Sequence, residues 1–232
     1  MPNRSSDLFA SSQEGDRIAV LYDYIEGREP EVDSDIEAIG KQTGQLHNLM
    51  QEYRGSPIAH AKPFFIDRYI DLLNRKGFDK TKIRMLSEYG DALWKTAANL
   101  PRGFCHGDYH AGNMLRTADG RYVLFDFDAA ADAFPVFDVM LICDSTDYFR
   151  FDVSGYEKTQ RMVERFCTGY TQQRQISDAE LLAIYDLIAI NHYQLQATII
   201  ECLGLDSVGH AFLDQQFHWL MRWREVCVQR GR

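Results

Sequence analysis

His106-Gly107-Asp108-Tyr109-His110-Ala111-Gly112-Asn113, with Asp126-Phe127-Asp128 thirteen residues after its last member, is the stretch that decides the fold. Four residues separate Asp108 from Asn113. The connection between the two motifs reads as a short strand over 113–116, a turn at Ala118-Asp119-Gly120, and a buried strand over 122–125 that ends in the acids. A hairpin folds the chain back on itself, so it sets the loop of Asp108 and Asn113 beside the loop of Asp126 and Asp128. Either motif alone is a weak signal. The pair, in this order on a strand–turn–strand frame, is specific.

Phosphoryl transfer is the chemistry that needs such a set. One carboxylate orients the attacking hydroxyl and takes its proton, while an amide oxygen and a second carboxylate hold Mg2+ against the phosphates. Protein kinases space the first two as an Asp, four residues and an Asn, and place the metal-binding Asp at the end of a later strand. Asp108, Asn113 and Asp126 reproduce that arrangement.

Outward from the motifs, helices dominate. Upstream, apolar residues at helical intervals predict helices over about 34–53, 64–76 and 81–100, with Ser34 and Glu37 spaced as a capping box and Gly77 and Pro101 as stops. Residues 8–25 read as a β-hairpin around Gln13-Glu14-Gly15-Asp16. Downstream, helices are predicted over about 137–149, 155–173, 178–203 and 208–229. The fold class is therefore α+β and mostly helical.

Hydrophobic residues make up 45% of the 232, ample for a buried core. The net charge of -9 argues against sequence-independent nucleic-acid binding and against an anionic membrane surface, both of which need clustered Lys and Arg. The five cysteines include no C-x-x-C pair, so neither a disulfide framework nor a cysteine zinc site is expected. No secretory signal or membrane-spanning run is read, and a cytoplasmic setting is expected.

Residues 106–114 resemble the H-G-D-x-H-x-x-N signature of the aminoglycoside phosphotransferase and choline kinase-like family. Phe125-Asp126-Phe127-Asp128 resembles its metal-binding strand end, and Gly44-Gln45-Leu46-His47 its L-x-x-L-H helix. Asp138 stands where that family opens a helix with Asp, and residues 19–27 look like its last N-lobe strand and hinge. The resemblance implies a protein-kinase-like C-terminal lobe over 28–232, with catalytic and metal loops in 104–128 and a helical substrate region in 137–230. Residues 1–27 would be a short hairpin remnant of the N-lobe with its hinge. It implies that Asp108 is the catalytic base and that Asn113 and Asp126 bind Mg2+. Asp128 helps the metal or substrate and ranks below Asp126. His106 completes the catalytic motif and, with Asp138, braces its loop. Tyr24, Ile25 and Glu26 would meet the adenine of ATP, and the acceptor would be a small-molecule hydroxyl.

A Gly-rich loop and a phosphate-pairing Lys should precede the hinge. This sequence has no G-x-G-x-x-G there, and its first lysine is Lys41, beyond the hinge. The expectation is a longer natural protein or a truncated gene, a separate chain supplying the lobe, or a catalytically silent lone C-lobe with a ligand-binding or regulatory role. In each case strand 17–25 is a sheet edge that favours self-association.

Three further readings can be weighed. His106-x-Asp108-x-His110 could be a metal triplet, although its glycines favour a loop. Asp126-Phe127-Asp128 fits the opening of haloacid dehalogenase-like phosphatases, but no Thr follows shortly. Acids at 132, 138, 144, 147 and 152 would favour an amine-bearing alcohol if they faced the cleft; solvated acids are the blander expectation. His47 and His110 read as core and loop-packing residues, and His192 as half-buried packing.

Overall fold

The computed structural model describes residues 24–231 in full, together with the backbone of 9–14 and 17–22. Strand β1 (Phe9–Glu14) pairs antiparallel with β2 (Arg17–Tyr22), Glu14 facing Arg17, as the hairpin pattern predicts. The turn between them lies outside the described residues.

Helix α1 (Val32–Gln51) begins two residues before the predicted cap. Ser34 is already helical, its hydroxyl donating to the Glu31 carbonyl at 3.1 Å. The extended backbone of Glu31 starts the helix instead, and Asp33 and Asp35 complement the dipole of its first turn. A π-helical turn at Pro63–Asp67 then leads into α2 (Arg68–Lys76), which stops at Gly77 in the left-handed region, φ 69°. Helix α3 (Lys80–Ala97) is capped by Asp79, whose carboxylate accepts from the Lys82 N–H.

The central β cluster consists of β3 (Gly103–Cys105), β4 (Met114–Arg116), β5 (Tyr122–Leu124) and β6 (Ala131–Ala133). β4 and β5 form the predicted hairpin, and β3 pairs antiparallel with β6. Four helices follow: α4 (Pro135–Cys143), α5 (Ser154–Tyr170), α6 (Asp178–Leu203) and α7 (His210–Gln229). α4 ends six residues earlier than predicted. Asp144 accepts hydrogen bonds from the Thr146 N–H at 2.8 Å, the Thr146 hydroxyl at 3.1 Å and Tyr148, and this local bonding outcompetes another helical turn.

α6 opens with a complete capping box of Ser177 and Glu180 and is buried on most of its circumference, so it is the central post of the helical region. α1 lies close on α5: a Cβ on Gly169 would sit 1.8 Å from the Glu37 carbonyl oxygen, so the crossing admits only glycine there. Among the described residues, no helix is long and apolar enough to cross a membrane.

His192 departs from the half-buried expectation. It is fully buried on α6, stacked on Trp219 at 4.2 Å, with buried Gln216 alongside. Burial lowers its pKa to about 3, which the neighbouring Gln216 only partly opposes. An unfolded chain binds that proton near pH 6.5, so the folded state loses stability as pH falls below 6.5 and keeps losing it towards 3. From pH 6.5 to 4.5 the loss from this ring is about 2–3 kcal/mol. Urea unfolding at the two pH values should show a His192→Leu variant lacking that increment of acid sensitivity; an unchanged difference contradicts the assignment.

Candidate active site

The β4–β5 hairpin pairs Met114 with Leu124, which places Asn113 opposite Phe125. The Phe125 N–H donates to the Asn113 carbonyl at 3.1 Å, and its own carbonyl accepts from His106 Nε2 at 3.0 Å. The residue before Asp126 is therefore clamped from both sides by the loop that carries Asp108. His106 Nδ1 takes the Asp108 N–H at 3.3 Å, so the neutral ring carries its hydrogen on Nε2. Both ring nitrogens of this fully buried histidine are engaged, and its lone pairs are not available to a metal. The metal-triplet reading fails on that geometry, and His106 acts by holding the two loops together.

Asn113 is buried, and its amide nitrogen donates to the Asp108 carbonyl at 2.9 Å and to Asp108 Oδ2 at 3.0 Å. These bonds use the nitrogen and leave the amide oxygen as the atom for a cation. They also fix one oxygen of Asp108, whose side chain is half-exposed. His110 Nε2 stands 3.4 Å from the same Oδ2. Its ring is half-exposed and makes no capping bond; it packs over Gly112, as the loop-packing reading expects, and its Nε2 also faces the Asp108 carboxylate.

Asp126 has φ 61° and is the one non-glycine at positive φ among the described residues. Asp tolerates the left-handed region better than most residues, but the conformation still costs energy, and such strain concentrates where a side chain must be aimed. Asp126 and Asp128 are exposed at one end of a cleft of about 940 Å3, floored by Leu115, Val123 and Leu124. Tyr24 and Ile25 line the same cleft, whereas Glu26 lines a neighbouring one with Arg28 and Thr117. Arg28, which follows the segment that resembles a hinge, is tied to β4 by reciprocal backbone hydrogen bonds with Arg116, at 3.0 and 2.7 Å.

Asp138 is fully buried in the first turn of α4, behind Pro135 at the helix start. Its carboxylate accepts from the His106 N–H at 2.8 Å, the Gly107 N–H at 2.9 Å and His47 Nε2 at 3.2 Å. His47, a buried and satisfied core residue as expected, also bonds the Tyr170 hydroxyl through Nδ1 at 2.9 Å. Burial raises the Tyr170 pKa, so the phenol stays the donor. The chain His47–Asp138–Gly107 thus joins α1 and α5 to the catalytic loop. Only the family resemblance at Gly44-Gln45-Leu46-His47 hinted at it, because 91 residues separate the two side chains.

Gly107 takes φ 81°, and a Cβ there would lie 2.3 Å from the Ala129 carbonyl oxygen. Gly107→Ala must adopt an unfavourable conformation and push back the segment that follows the metal loop. We expect a loss of about 2 kcal/mol or more in denaturant unfolding. Wild-type stability in that variant contradicts the packing of the two loops.

The remaining acids do not gather in the cleft as a cation-binding set. Asp132 faces Arg102 at 3.6 Å, while Asp147 and Asp152 cap their own loops through the Phe149 and Ser154 N–H groups. Asp144 is partly buried and hydrogen-bonded, and desolvation raises its pKa. Among the described residues, no three His, Cys, Asp or Glu side chains form a metal cage. Asp126 and Asn113, with Asp128, suit an ion that keeps few protein ligands and completes its shell with water and phosphate, as Mg2+ does.

The chain is similar to the amicoumacin kinase of Bacillus subtilis, at 24% identity over 180 residues, covering 74% of this chain and 52% of that protein. The chain thus spans about half the length of that relative. Its fold matches a solved amicoumacin kinase in complex with AMP-PNP and Ca2+, TM-score 0.67 at 18% identity, covering 96% of this chain and 69% of that one. It equally matches a microcompartment-associated aminopropanol kinase, TM-score 0.67 at 15% identity, covering 98% and 72%. These likenesses show a protein-kinase-like fold. The model of the phosphotransferase enzyme family matches residues 7–179, three-quarters of the sequence, and the chain belongs to that family.

Proposed function

We propose that the chain carries the catalytic half of an ATP- and Mg2+-dependent kinase of a small-molecule hydroxyl. The observation that carries this reading is the double clamp on Phe125, which holds the Asp126 loop against the loop of Asp108 and Asn113. Asp108 orients the acceptor hydroxyl and accepts its proton. Asn113 and Asp126, with Asp128 in a lesser role, hold the metal. When bound, Mg2+ neutralises charge on the phosphates. His106 and Asp138 keep Asp108 in place. Tyr24 and Ile25 face the adenine, with Glu26 at its margin.

The aminopropanol kinase supports an amine-bearing alcohol as one acceptor class. Self-association through strand 17–25 belongs to the same proposal: β2 pairs with β1 along one edge only among the described strands. The test is transfer of the γ-phosphoryl group of ATP to a panel of small alcohols. Mg2+-dependent product that disappears in Asp108→Ala is the expected result; equal product from that variant sinks the assignment.

A further inference from the structure

A second cleft, of about 550 Å3, shares no lining residue with the apolar one. His110 and Ala111 line it, together with the first turn of α1 and the end of α4. One face of α5 makes the remaining wall: Lys158, Arg161, Met162 and Arg165 follow at helical spacing and all line the space.

The charges in this wall are unevenly matched. Arg165 is satisfied by Asp33, Nη1 to Oδ1 at 2.6 Å. Lys158 reaches Asp152 only at 3.7 Å, beyond a hydrogen bond. Arg161 has no ion pair and no hydrogen bond among the described residues. The acids one turn away on its own helix are occupied elsewhere, Glu157 by Arg230 and Glu164 by Gln160. Of the two carboxylates in the cleft, Asp33 is taken by Arg165, and Asp144 is partly buried and accepts from Thr146 and Tyr148. In a chain of net charge -9, this leaves Arg161 as a cation without an acid partner among the described residues, beside a loosely paired Lys158, in a cleft that His110 also lines.

We propose that this cleft is an anion subsite for the acceptor: it binds a carboxylate or phosphate group of a hydroxyl-bearing small molecule, with Arg161 as principal contact and Lys158 beside it. The proposal rests on the phosphotransferase reading and deepens it, because it names an acidic substituent on the alcohol. Guanidinium forms paired hydrogen bonds to planar or tetrahedral oxyanions, and Arg161 is exposed to receive one. An acceptor anchored there lies along a cleft that ends at His110, next to Asp108. An amine group elsewhere on the molecule is compatible with this; an alcohol without an acidic group would leave Arg161 unused.

Calorimetric titration with three probes tests it without requiring turnover: sn-glycerol 3-phosphate, glycerate and 3-amino-1-propanol. At least one acidic alcohol should bind, and Arg161→Gln should weaken it tenfold or more. Arg84→Gln, the same charge change at an exposed residue of α3 outside the cleft, should leave it within twofold. Binding of aminopropanol alone, no binding of either acid at 10-millimolar probe on the order of the weakest affinities usually resolved, or an affinity indifferent to Arg161→Gln overturns the subsite. Binding of Mg2+-nucleotide without the acids rejects the subsite and keeps the kinase reading. Arg161-dependent binding of an acid without nucleotide binding does the reverse.

Discussion

Replacing Asp108 by alanine is expected to lower phosphoryl transfer by about 10^2–10^4-fold, the usual contribution of a positioned general base. The substitution removes the carboxylate that Asn113 aims and that His110 faces, at 3.0 and 3.4 Å. It leaves the contacts proposed for the nucleotide in place, because the apolar cleft and Asp126 belong to other elements. Mg2+-nucleotide affinity should fall far less than the rate, because the Asn113 amide loses Asp108 Oδ2 but keeps its 2.9 Å bond to the Asp108 carbonyl. The damage should appear in kcat rather than in the KM for ATP. A variant that loses nucleotide affinity in proportion to rate would place Asp108 in binding instead.

Asp138→Ala should have the largest effect on stability. Three donors converge on this fully buried carboxylate: the His106 and Gly107 amides and His47 Nε2. Alanine leaves all three without a partner in a site sealed from water, at about 1–3 kcal/mol each before relaxation. Partial relaxation brings the expected loss to about 3–5 kcal/mol, in the range for breaking a buried polar pair. That is a large part of the 5–15 kcal/mol typical of a folded domain. Asparagine should rescue little, because its NH2 group turns a donor towards a backbone donor. Urea unfolding gives the answer, and a loss below about 1 kcal/mol contradicts the role of Asp138 as the brace.

The parts of the fold that local chemistry dictates were legible in the sequence. The β4–β5 hairpin follows from apolar runs on either side of a Gly turn, and the helix predicted over 178–203 is observed with those bounds as α6. Asp108, Asn113 and Asp126 are brought to one place because their spacing encodes a hairpin. What escaped depends on partners distant in the chain. β6 is Ala131-Asp132-Ala133, with no strand-forming residue, and it is extended because β3 pairs with it. α4 stops at Asp144 because side-chain bonding competes there, which periodicity does not register. His192 sits on a helix that is apolar almost all round, so no amphipathic stripe distinguished its buried side. The positive α5 wall was hidden by the net charge of the whole, which says nothing of a single face.

The central claim is that the Asp126 loop and the Asp108–Asn113 loop form one metal–nucleotide site. Calorimetry of Mg2+-AMP-PNP with this chain, in wild-type form and as Asp126→Ala, tests it most directly. The account predicts binding in the micromolar range, weakened about tenfold or more both by EDTA and by the substitution, since a metal-bridging carboxylate contributes more than about 1.4 kcal/mol. Nucleotide binding of equal affinity with and without metal and Asp126 would contradict it.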